Sequence, residues 1–186
     1  TMDAHRWAGN YYLLTNDARA YVPLFKACAD ARPRDPESAY CHWKVAWAAY
    51  PGPEPGAAAL LDDHLVRYPH SDKFVAALLF LGRLAEQRGN LAAASAYYKE
   101  LLTVEPLSYY AALARESLES RRLNAVSPDP ALLSRLVSLR GKELREDLTR
   151  ISETPETARR LKRASLLSQV GMTEWVDKEL RSYSAD

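Results

Sequence analysis

The sequence predicts an all-α protein, built from stacked helical hairpins that wind into a right-handed superhelix. Three observations carry this. Leu, Ala, Glu and Arg dominate and Ile151 is the only isoleucine, so the residues chosen are those that lose little freedom in a helix. Apolar residues recur at spacings of three and four rather than two. Only seven glycines occur in 186 residues, and several fall between apolar-periodic segments, where helices end.

Three prolines set the repeat. Pro33, Pro69 and Pro106 lie 36 and 37 residues apart, and each closes a pair of helical patterns, as a residue that cannot continue a helix should. The third unit is the clearest. Val75–Arg88 has Leu78, Leu81, Leu84 and Ala85 along one face, Gly89-Asn90 makes the turn, and Leu91–Val104 carries Ala94, Tyr97, Tyr98 and Leu101. The spacing and the run Leu81, Gly82, Ala94, Tyr98, Leu101, Pro106 match the tetratricopeptide pattern of about 34 residues. Gly82 and Ala94 are expected to let two helices approach, with Tyr98 and Leu101 filling space against the next hairpin.

In the first unit Gly9 and Tyr12 belong to one helix and Phe25 and Cys28 to the next, where Pro23 predicts a kink or a late start. The second unit pairs Glu37–Tyr50 with Gly56–Tyr68 across a turn, Pro51 to Pro55, that three prolines keep from being helical. After Pro106 the pattern loosens. Ser108 caps a helix to about Arg122. Ala131–Arg140 is expected to stop at Gly141, with a separate helix over Lys142–Ile151. Thr154-Pro155-Glu156 opens a helix to Val170, and Thr173–Tyr183 forms the last. Residues 1–122 thus read as tetratricopeptide-like hairpins, and 123–186 as helices continuing the superhelix. Such hairpins bury their apolar faces only by stacking.

Composition excludes several roles. The net charge is +1, so nothing global draws the chain to nucleic acid or an anionic membrane. The longest apolar run, Phe74 to Gly82, falls far short of the ~20 residues of a spanning helix, and Thr1 to His5 has no signal-peptide pattern. Cys28 and Cys41 are too few for a thiolate zinc site. They read as buried free thiols on apolar helix faces, with a single bridge between adjacent helices as the alternative.

Catalytic signatures are absent: GxSxG, P-loop, GxGxxG, HExxH and CxxC do not occur, and no cofactor or metal site is expected. His5, His42, His64 and His70 are scattered without ligand spacing, and Asp62-Asp63-His64 reads as a solvated helix face. Arg159-Arg160-Leu161-Lys162-Arg163 reads as the charged outer side of an amphipathic helix, with contact to an anionic partner as the alternative. Aromatic residues are the binding candidates. Trp43 and Trp47 are four apart on one helix, Tyr40 is expected to join them, and Tyr109-Tyr110 open another helix. They serve either as packing or as a stacking surface for sugar rings or peptides on the concave side of the superhelix.

Two stretches resemble a known family. Ser38-Ala39-Tyr40-Cys41-His42-Trp43-Lys44-Val45-Ala46-Trp47-Ala48-Ala49-Tyr50 is similar to the Ala-x-x-Trp-x-x-Ala-Trp-x-x-Tyr helix of soluble lytic transglycosylases. Pro106-Leu107-Ser108-Tyr109-Tyr110-Ala111-Ala112-Leu113-Ala114 resembles that family's Pro-x-Ser-Tyr-Tyr-Gly-x-Leu-Ala helix, with Ala111 where glycine is frequent. Gly82-Arg83, Ala94 to Tyr98 and Ala158–Leu180 fall where the family places similar segments. The resemblance implies the superhelical region upstream of a periplasmic or cell-envelope domain that cleaves peptidoglycan glycan strands without hydrolysis. Arg115-Glu116-Ser117 lacks the spacer of the family's Arg-x-Glu-Ser segment and no Gly-Leu-Met-Gln follows, so Glu116 is not expected to be catalytic. The implied partners are glycan strands or a catalytic domain of the same protein. The competing reading is a tetratricopeptide module that binds proteins of an envelope assembly complex.

Overall fold

The computed structural model describes residues 1–33, 35–51, 56–120, 122–150, 155–169, 172, 175 and 176, with backbone alone for 142–150, 157, 168 and 169. Among these residues there are nine α-helices and no strand: α1 (Met2–Leu14), α2 (Ala18–Ala31), α3 (Pro36–Ala49), α4 (Gly56–Arg67), α5 (Phe74–Gln87), α6 (Leu91–Val104), α7 (Tyr109–Glu119), α8 (Pro130–Arg150) and α9 (Pro155–Gln169). The chain divides into two compact units, Thr1–Lys142 and Glu143–Asp186.

Local chemistry sets most of the helix starts. Thr1, Asp17, Asp35, Asn90 and Ser108 each turn a side-chain oxygen onto a free amide of the first turn. Asp129 takes two such amides, of Ala131 and Leu132, at 3.0 Å each. A cap of this kind satisfies donors that the helix itself leaves orphaned.

In the first unit each helix from α1 to α7 packs against its neighbour in the chain, and α5 also touches α7. Two hairpins repeat the same device. Gly9 of α1 faces Phe25 of α2, and Gly82 of α5 faces Tyr98 of α6; each pair is sixteen residues apart. The Tyr98 ring therefore packs on its own hairpin, with its hydroxyl donating to Glu86 at 2.6 Å, and it also reaches Ser117 of α7. The turns repeat as well. Asn16 and Gly89, 73 residues apart, are the described positions with positive φ, at 54° and 75°. The following amides, of Asp17 and Asn90, return to the Tyr12 and Ala85 carbonyls. That left-handed residue ends one helix and lets the next begin at once.

Apolar residues form two clusters in this unit. Met2, Tyr21, Phe25, Cys28, Ala29 and Cys41 join α1, α2 and α3. The larger cluster runs from Trp43 and Ala46 through α4 to α7 and ends on Leu123 and Leu136. α3 serves both, because Cys41, Val45 and Ala48 lie on one side of it and Trp43, Ala46 and Tyr50 on the other.

Three expectations are corrected. Cys28 and Cys41 are not free thiols: they form a disulfide between α2 and α3, with Cα atoms 5.9 Å apart. Both are fully buried, so hydrophobic burial and bridging coincide here. The helix expected to stop at Gly141 runs on to Arg150. A helical glycine costs only about 1 kcal/mol, and the good helix formers around it outweigh that. Pro23 does not delay α2, which begins at Ala18 and continues through it.

The second unit holds α9. Ala164 is buried and Leu161 and Leu166 are half exposed. Arg160 pairs with Glu156 at 3.2 Å, one turn away, and Arg159, Lys162 and Arg163 are exposed, as the charged-face reading of this run expects. The expected Thr154 cap and most of the Thr173–Tyr183 helix lie outside the described residues.

Candidate functional site

The aromatic candidates separate into three places. Trp43 is 7% exposed and belongs to the larger core. Trp47 stacks on it at 5.9 Å and on Tyr50 at 5.6 Å with rings almost parallel, and Phe80 of α5 backs both Trp47 and Tyr50 at 4.8 and 4.7 Å. Trp47 keeps 42% of its surface exposed. Tyr109 is largely exposed and meets Tyr110 edge to face at 5.7 Å, while Tyr110 packs on the larger core.

Tyr40 does not join the tryptophans. It sits on the side of α3 that turns toward the first cluster, edge-on to Phe25 at 6.0 Å. Its hydroxyl donates to Asn10 Oδ1 of α1 at 2.8 Å, and Lys44 lies over its ring at 5.1 Å. Arg6, Trp7, Asn10 and Tyr40 line a groove of about 170 Å³. Trp7 is 69% exposed there. Arg6 is held by Asp3 at 3.5 Å and Glu37 at 3.2 Å. Because Asn10 uses its oxygen on Tyr40, its amide N–H groups remain to donate. The groove thus offers ring faces with hydrogen-bonding groups at their edge. Of these residues the sequence marks Tyr40 alone; the signal for the rest is the i, i+3 spacing of Trp7 and Asn10 on α1.

The reading of Asp62-Asp63-His64 as a solvated face is corrected at His64. This residue is fully buried, and His42 is 6% exposed. His64 falls in the stripe Leu61, His64, Leu65, Tyr68, an i, i+3, i+4, i+7 pattern that burial follows. The two histidines meet Nδ1 to Nδ1 at 3.2 Å. His42 Nε2 is 3.0 Å from Asp63 Oδ2, and His64 Nε2 is 2.9 Å from Ser71 Oγ. Asp63 also takes Arg67 at 2.8 Å.

Proton positions follow from this chain of contacts. Burial alone would raise Asp63, but hydrogen bonds from Arg67 and His42 outweigh it and hold the carboxyl below its ordinary value. Asp63 is therefore an acceptor, and His42 Nε2–H donates to it. Burial lowers His42 despite Asp63, so the ring is neutral and its Nδ1 accepts from His64 Nδ1–H. His64 Nε2 then accepts from the Ser71 hydroxyl. Burial, followed by repulsion from His42, pushes His64 down to about 3. A base that weak does not activate Ser71, so the chain is a neutral lock rather than a nucleophile relay. Tyr68 lies against both imidazoles at 5.5 and 5.4 Å, with its hydroxyl buried and unpartnered.

Among the described residues, no group of three His, Cys, Asp or Glu side chains is gathered as a metal ion requires, and no helix is long and apolar enough to cross a membrane. Glu116 is exposed on α7, and Arg115 donates to the Pro106 carbonyl at 2.8 Å. No family model matches the chain, and neither a curated protein nor a solved structure matches it.

Proposed function

We propose that this chain is the non-catalytic scaffold of a peptidoglycan lytic transglycosylase: a right-handed superhelix of tetratricopeptide-like hairpins in the periplasm or cell envelope, which positions glycan strands or the enzyme's catalytic domain. The groove of Arg6, Trp7, Asn10 and Tyr40 carries the reading. An open indole face beside fixed donors suits a sugar ring, which offers an apolar face and hydroxyl edges. The repeated Gly9–Phe25 and Gly82–Tyr98 contacts support helices paired as hairpins, and the α2–α3, α4–α5 and α6–α7 contacts support their stacking. The Cys28–Cys41 bridge suits an oxidising compartment.

Co-sedimentation with purified sacculi tests it. The chain is expected to pellet with sacculi, and Trp7→Ala to release it at least about tenfold, a loss of about 1.4 kcal/mol. Wild-type protein that stays in the supernatant removes the glycan role. An open reading frame that continues past Asp186 into an Arg-x-Glu-Ser segment and then Gly-Leu-Met-Gln supports the parent enzyme, and a stop codon there removes it.

A second reading, a protein-interaction module of an envelope assembly complex, has its own observation. Trp7, Tyr11 and Leu14 stand 69%, 64% and 88% exposed along one stripe of α1, the spacing of a helix-binding face. Under that reading, pull-down from an envelope extract returns a protein, and Leu14→Glu abolishes its capture while sacculi are ignored.

A further inference from the structure

The His42–His64 pair serves no part of the scaffold role and goes beyond it. Its contacts join three consecutive pieces of chain: His42 from α3, Asp63 and His64 from α4, and Ser71 from the turn before α5. A disulfide through Cys41 ties α3 to α2, whereas no disulfide ties α3 to α4. The polar chain therefore lies at the first joint after the disulfide that side-chain contacts hold without a cross-link.

The geometry tolerates one extra proton and not two. A single proton entering at Ser71 can be passed along. His64 then donates from Nε2 to Ser71, whose hydroxyl turns to accept, and His42 donates from Nδ1 to His64 and from Nε2 to Asp63. Every bond survives: those at Ser71 and between the two Nδ1 atoms reverse direction, that to Asp63 keeps its own, and the charge rests against the Asp63 carboxylate. A second proton leaves N–H facing N–H at the 3.2 Å Nδ1–Nδ1 contact, with two positive rings, one fully buried and the other 6% exposed. Both rings also press on Tyr68, and His64 presses on Trp43 as well, so room for them to move apart is small while the joint stays closed.

We propose that the His42–His64 pair is an acid-operated latch on the α3–α4–α5 joint, closed while the two rings share no more than one added proton and released when both are charged. The charged groups around it are Asp63 and Arg67 from α4, Asp72 from the turn and Asp30 from α2. The three aspartates favour the first proton and Arg67 opposes it. None of them contacts the Nδ1–Nδ1 pair, where the second proton must go. The sign follows from burial. Both histidines are held below their ordinary value, so the opened joint binds more protons than the closed one. Closure is complete above about pH 6.5 and weakens as the pH falls.

The test uses the full chain. Imidazole resonances followed by pH titration are expected to show His42 and His64 resisting protonation below about pH 6.5. Hydrogen exchange, corrected for intrinsic rates, is expected to show α3 and α4 amides losing about tenfold protection for each pH unit per proton taken up on opening. Amides of α6 should keep theirs over the same range. His64→Gln, which cannot charge, should flatten the response of α3 and α4. The idea is overturned if both histidines titrate near pH 6.5, if α6 loses protection in step with α4, or if His64→Gln leaves the pH response unchanged. Should that variant fail to fold, the wild-type titration and exchange decide alone.

Discussion

Replacing Gly82 by alanine pits helix propensity against a ring. Alanine in mid-helix gains about 1 kcal/mol over glycine. A Cβ at Gly82, however, comes within 2.8 Å of three atoms of the Tyr98 ring. That ring is fully buried and tethered, since its hydroxyl donates to Glu86 at 2.6 Å; burial and then this bond raise the phenol above its ordinary value. Overpacking of this kind costs about 1–3 kcal/mol. Moving the ring aside adds the loss of a charge-assisted bond, about 1.5–3 kcal/mol. The net expectation is a loss of about 3 kcal/mol in urea unfolding. Tyr98→Phe cuts the tether, so the penalty of Gly82→Ala should shrink in that background. Gly9→Ala should cost less, because its new Cβ meets Phe25 at 2.9 Å and that ring has no hydroxyl to hold it. A Gly82→Ala protein as stable as wild type, or a penalty unchanged by Tyr98→Phe, would refute the reasoning.

Other expectations follow from the same geometry. Gly141→Ala, with nothing within 4 Å of its new Cβ, should stabilise α8 by up to about 1 kcal/mol and raise helicity by circular dichroism; no gain would mean the helix is interrupted there. Cys28→Ala with Cys41→Ala should cost about 3 kcal/mol, as expected for cysteines 13 residues apart. Thiol titration in denaturant without reductant should find none, and two would disprove the bridge. Asp129→Ala strips two amides of their acceptor and should cost about 1 kcal/mol of thermal stability.

Much of the fold is legible in the sequence where local chemistry decides. Asp17, Asn90 and Ser108 announce their helices, and the turn residues Asn16 and Gly89 stand at the one position that needs positive φ. Gly82 as a point of close approach could be read from its spacing to Tyr98. What sequence could not settle are choices between neighbours. Nothing local says that Gly141 is crossed while Gly89 ends a helix, because the difference lies in whether the next residues cap a new helix, as Asn90 does. Tyr40 lies close to Trp43 in sequence, yet α3 is apolar on opposite sides and the two rings go to different cores. Spacing along the chain cannot register that α3 and α4 bring His42 and His64 together across 22 residues.

α3 also limits how such a protein can be rearranged. An array of hairpins invites gain or loss of whole units by recombination, since each contacts only its neighbours. Here a break on either side of α3 strands an apolar surface: Cys41 and its companions if α2 is removed, Trp43 and Ala46 if α4 is. A shuffled or shortened descendant must carry α3 with a partner on both flanks. The smallest exchangeable piece around it is therefore three helices, α2 through α4, and not a hairpin.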